Sequence, residues 1–249
     1  MLDTLLLVLV GLVLVVPLFM NLVGPFIVWK TQRIPTLVHF EPIADEDFAE
    51  HLTEAFSCYD QGLKALDFSL LGSSSLHDSH THTYFRLYWH PGIKVVGMVV
   101  SISAANQPTL TYCEFSQKFS DGSILDVSNS PRPEGYPDLP VKQSFRFPGV
   151  VDVSQLLSLQ NQLRHKLKGT LQPMDYPLEQ GFGEMEDFLR RESDALLAKG
   201  LLHPEIDESG KRALTLRGAL SLTWRSVFPG VRIWGYITAR RGQRVLQGD

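Results

Sequence analysis

TYFRLYWHPGIKVVGMVVSIS, residues Thr83–Ser103, consists of two runs dense in aromatic and β-branched residues joined by Pro91-Gly92. Such side chains fill a pleated, half-buried surface well, and Pro-Gly presets the backbone for a turn, so the stretch reads as an antiparallel hairpin. Working outward, the same composition predicts strands over Phe68–Leu71, Thr83–His90, Ile93–Ser103, Thr109–Phe119 and Ile124–Ser128. Asn106-Gln107-Pro108 supplies one further turn. Asp121-Gly122 supplies another, read as a type I′ hairpin turn because that turn needs positive φ at both positions. The expectation is an antiparallel meander of four or five strands.

Helices are expected on either side of it. In Asp45–Leu66, Phe48, Leu52, Ala55, Phe56, Tyr59, Leu63 and Leu66 recur at steps of three and four, which places them on one stripe. Asp152 is a fitting N-cap for a helix over Val153–Lys168, with Gln155 at the capping-box position and Gly169 at the end. Both helices then cover one face of the sheet, giving an α+β domain over residues 44–171. Between Asn129 and Gly149 five prolines interrupt the chain and no regular element is expected, which marks a candidate binding lip.

Residues 172–249 read as a small, helical, basic C-terminal extension. After the Pro- and Gly-containing break at Gln172–Gly183, a helix over Glu184–Lys199 is stopped by Gly200. A polar turn follows at Asp207–Lys211, and a second helix over Leu214–Phe228 ends before Pro229. Leu196-Leu197-Ala198-Lys199-Gly200-Leu201-Leu202, the turn to Arg212, and Leu214-Thr215-Leu216-Arg217-Gly218 together resemble the recognition-helix end and wing of MarR-like winged-helix regulators. The resemblance implies DNA binding. It covers only this stretch: the preceding helix-turn-helix pair of those regulators is not evident, and the turn carries acids among its basic residues.

At the other end, after a short flank (1–4), Leu5–Trp29 holds 25 residues without a charge. At about 1.5 Å per residue a helix of that length exceeds the roughly 30 Å hydrocarbon core of a bilayer. The expectation is an uncleaved, single-pass transmembrane helix followed by a linker over 30–43. Lys30 and Arg33 beyond Trp29, with no basic residue before the span, place the body in the cytoplasm. The whole is therefore expected to be α+β: one N-terminal transmembrane helix, the meander flanked by helices, and the helical extension.

The net charge is −4, yet residues 211–249 carry +7, so the first 210 residues hold −11. A basic, aromatic tail suits a headgroup layer, and the membrane-interface residues are taken as Trp29, Lys30, Arg33, Trp224, Arg225, Arg232, Trp234, Arg240, Arg241 and Arg244. The lipid bilayer is the expected partner, with a membrane or cytoplasmic protein beside it; nucleic acid is not. Cys58 and Cys113 make no disulfide ladder and no CxxC, and read as small core residues whose pairing stays open.

Chemistry-bearing motifs are few. His77-Asp78-Ser79-His80-Thr81-His82 enters a strand, where residues two apart share a face, so Asp78, His80 and His82 are the candidate metal ligands. No HExxH, GxSxG or Walker A sequence accompanies them, and no cofactor is expected. The composition therefore points to binding a partner protein or small ligand at a membrane surface. A membrane-tethered metal-dependent enzyme using the His77–His90 region is the alternative, and an anchored winged-helix-like DNA-binding protein the second.

Overall fold

The computed structural model describes residues 2–77, 81–105, 107–137 and 140–248; for 2–14 and 51 it describes the backbone alone. Asn106, expected in a turn, lies outside the described residues. Backbone contacts divide the chain into two units. The chain opens with helix α1 (Leu2–Thr31) and strand β1 (Arg33–Pro35), both in the smaller unit.

The larger unit takes His39–Arg132, Asp138–Asp187 and Thr238–Asp249. Its elements are β2 (Glu41–Ile43), α2 (Asp45–Phe48), α3 (Glu54–Ala65), β3 (Ser69–His77), β4 (Thr81–His90), β5 (Val95–Ala104), β6 (Leu110–Lys118), β7 (Ile124–Ser128), β8 (Lys142–Arg146) and α4 (Val153–Lys168). The strands form one sheet in the order β2-β3-β4-β5-β6-β7-β8, antiparallel except for the parallel β7–β8 pair. Strand alternation sends Tyr88, Val95, Val99, Cys113 and Phe115 into a core shared with Phe56 and Leu63 of α3 and Leu156 and Leu163 of α4. Both helices do cover one face. Burial of each of these large side chains contributes about 1.5–3 kcal/mol.

The sheet is thus larger than the expected four or five strands, and mixed. β3 runs through Gly72-Ser73-Ser74-Ser75, whose composition suggests a loop. These serines are tolerated because their hydroxyls have partners: Ser73 Oγ donates to Asp45 Oδ1 at 3.1 Å, and Ser74 Oγ to the Glu41 carbonyl at 2.7 Å. β8 lies inside the proline-rich stretch, and β2 inside the segment expected to be extended linker. The helix expected over Asp45–Leu66 is broken, because Leu52 is extended and Thr53 starts α3 as an N-cap, accepting from Phe56 N at 3.2 Å. At the β6–β7 turn only Gly122 takes positive φ, +79°. Phe119 bonds Gly122 N and Ser123 O across a three-residue loop, so the type I′ turn is not formed. Asp152 caps α4 as expected, accepting from Gln155 N at 2.8 Å.

The smaller unit takes Met1–Val38, Pro133–Pro137 and Phe188–Ile237. It holds most of α5 (Gly183–Ala198), then β9 (Leu202–Ile206), β10 (Lys211–Leu214), α6 (Leu216–Ser226) and the first half of α7 (Gly230–Gln247). β9 and β10 form a hairpin with β1 against its far strand, in the order β1-β10-β9. The C-terminal part is therefore not wholly helical. Leu196, Leu201, Leu202, Leu214 and Ala219 are its core, with Val28, Trp29 and Ile34 packed on it.

α1 overturns the membrane assignment. It does run through Leu5–Trp29, but among the described residues no helix is long and apolar enough to cross a membrane. The single-pass span falls, and with it the membrane localisation and the cytoplasmic orientation drawn from it. What the described side chains of α1 do is physical: Pro25 is buried, Val28 and Trp29 join the small core, and Asn21 bonds Phe228. This helix is a packed element of the smaller unit, lying along α6 and beside β10.

Candidate functional site

Within the smaller unit, α1 and α6 border an open groove of about 440 Å³. α1 contributes Pro17, Leu18, Asn21 and Pro25; α6 and the residues after it contribute Leu220, Thr223, Trp224, Phe228 and Pro229. Two prolines inside α1 make the wall unusual, since neither has an N–H to donate to the carbonyl four residues back. Asn21 bridges the two sides: its amide nitrogen donates to the Pro17 carbonyl and to the Phe228 carbonyl, each at 2.7 Å. Around the groove Leu18 and Leu22 are 61% exposed and Leu220 is 51% exposed, so apolar surface continues outward from it.

A second cluster lies in the larger unit, where side chains of β4 reach α3. Arg86, buried, sends Nη1 to Asp60 Oδ1 at 3.0 Å, Nη2 to Asp45 Oδ1 at 3.3 Å and Nε to Ser73 Oγ at 3.1 Å. Its guanidinium lies over the Phe48 ring, 4.7 Å from the centroid. Asp60 also accepts from Lys64 Nζ at 2.8 Å and from the Tyr88 hydroxyl. Burial pushes the Asp60 carboxyl up, but Lys64, Tyr88 and Arg86 together hold it below its usual value. Burial first, and then the hydrogen bond to Asp60 and its charge, push the Tyr88 phenol up. Every group here is satisfied by another side chain, which is the arrangement of a structural brace between helix and sheet.

Of the metal candidates, Asp78 and His80 lie outside the described residues. His82 sits on β4 opposite His77, their Nδ1 atoms 2.8 Å apart. Among the described residues no group of three His, Cys, Asp or Glu side chains is placed to hold a metal ion. Cys58 is exposed and Cys113 buried, both free, so they do not pair; only Cys113 is a core residue.

Of the residues assigned to a headgroup layer, seven lie in the smaller unit and Arg240, Arg241 and Arg244 in the larger. Trp29 packs on the small core with the Lys30 ammonium 4.5 Å over its ring, and Arg33 lies on β1. Arg225 and Trp234 are brought together, guanidinium 4.3 Å from the ring centroid, and Trp224 lines the groove. Arg232, Arg240, Arg241 and Arg244 are on α7, and Arg241 lies 5.2 Å over Phe145. The proline-rich lip is tied down, since Arg146 Nη1 donates to the Ser130 and Pro131 carbonyls at 3.0 Å each. The wing-like hairpin exists as β9–β10, and its Arg212 is committed to Asp194 at 2.9 Å and to Ser193 at 3.2 Å.

Sequence reasoning passed over Asn21 and Thr223 as site residues. Asn21 had a signal, as the one amide in an apolar run and set between two prolines, whereas Thr223 had none. Compared with known proteins, the chain matches no family model, no curated protein and no solved structure.

Proposed function

We propose that this protein acts by binding rather than by catalysis, and that the groove between α1 and α6 receives a small apolar ligand. The observation that carries the reading is the groove itself: its volume of about 440 Å³ lies in the usual range for small-molecule sites, roughly 300–1,000 Å³. Its walls match that use, being apolar apart from two neutral polar side chains. Asn21 ties the two sides of the groove together, which limits the ordering a ligand has to bring about.

The test uses the full chain and Nile red, an uncharged dye that brightens in apolar surroundings. Leu220→Trp adds bulk at a half-exposed position on the groove wall, where it fills the space without entering the core. The expected result is bright dye with the wild type and a signal reduced several-fold in the variant. Equal brightness in both would overturn the assignment of the groove.

A further inference from the structure

Thr223 is 2% exposed, and among the described residues its hydroxyl has no hydrogen-bond partner. It is one of the residues lining the groove, and its methyl packs toward α1, since a Cβ on Gly24 would lie 3.3 Å from Thr223 Cγ2. A buried hydroxyl left unbonded costs about 1–3 kcal/mol, so something is gained when a ligand supplies its partner. Asn21, one helical turn before Gly24, is oriented unambiguously. Both of its amide hydrogens go to carbonyls, and a flipped amide would set oxygen against two carbonyl oxygens. Its Oδ1 is therefore an acceptor. Pro25 also removes the usual helical donor to the Asn21 backbone carbonyl, adding a second acceptor at the same residue.

Among the nine lining residues none is charged. A carboxylate or ammonium entering here would be desolvated without a counter-charge, which is strongly unfavourable. A pure hydrocarbon would leave Thr223 as it is. We infer that the groove selects an uncharged amphiphile, a hydrocarbon tail bearing one hydroxyl, with that hydroxyl donating to Asn21 and accepting from Thr223. This rests on the groove being a ligand site and adds the chemical class of the ligand.

The experiment displaces Nile red from the full chain with decane, decanol and decanoate, in the wild type and in Thr223→Val, which keeps the shape and removes the hydroxyl. Decanol should displace at concentrations roughly two- to ten-fold lower than decane, the factor that one net hydrogen bond supplies, and decanoate should be the weakest of the three. Thr223→Val should weaken decanol several-fold, bringing it nearer to decane, because only the bond to Asn21 is then left, and should not weaken decane. Equal potency of the three compounds, or decanol binding that the valine leaves unchanged, would overturn the ligand class while the groove assignment stood. Failure of all three to displace the dye would remove both.

Discussion

Asp60→Asn tests the brace between α3 and β4. The substitution keeps size and one acceptor oxygen but removes the charge 3.0 Å from Arg86 Nη1 and 2.8 Å from Lys64 Nζ. Lys64 is half exposed and is re-solvated at little cost, whereas Arg86 is 8% exposed and cannot be. Removing one partner of a buried ion pair typically costs about 3–5 kcal/mol, because the other charge stays desolvated. Arg86 would retain Ser73 and Asp45, but the Asp45 side chain is 64% exposed and so screened by water. The low end, about 3 kcal/mol, is therefore expected. At roughly 2–4 °C per kcal/mol for a chain of this size, the melting temperature should fall by about 6–12 °C. Arg86→Met in the Asp60→Asn background should recover part of that loss, since no buried charge is then left unpaired. The pH dependence has a definite sign. The Asp60 pKa is lowered in the folded state, so its contribution is complete above the unfolded carboxyl value of roughly 4 and disappears as pH falls through the lower folded value. The gap between wild type and Asp60→Asn should be constant from neutrality to about pH 5 and close below that. Thermal unfolding by circular dichroism measures both. A loss under about 1 kcal/mol, or additive effects in the Asp60/Arg86 double-mutant cycle, would refute the brace.

Gly242→Ala should destabilise the docking of α7, because its Cβ would fall 2.4 Å from Phe147 Cζ; overpacking of this kind costs about 1–3 kcal/mol, and faster amide exchange over 238–247 would report it. Cys58 is exposed and Cys113 buried, with the Cys113 thiol pushed up by its burial. A maleimide reagent should label the native protein once, at Cys58, and twice after unfolding; prompt double labelling would contradict the packing of β6.

Sequence alone settled what depends on neighbouring residues. Period-two and period-3.6 patterns located the central strands and α4, and Asp152 and Gly169 marked the ends of α4, because strand alternation and capping are satisfied within a few residues. β8 and the Gly72-Ser73-Ser74-Ser75 part of β3 escaped, since their strand state is decided by partners far along the chain: β8 by its parallel pairing with β7, and the serines by Asp45 and Glu41. The same limit governed α1. Its apolar composition was plain, but which of its residues pack on protein is decided by α6, about two hundred positions away, while Leu18, Phe19, Leu22, Phe26 and Ile27 stay exposed. Thr223 and Asn21 become a site only when those two helices are placed side by side, because a groove is a property of two surfaces and neither sequence segment contains it.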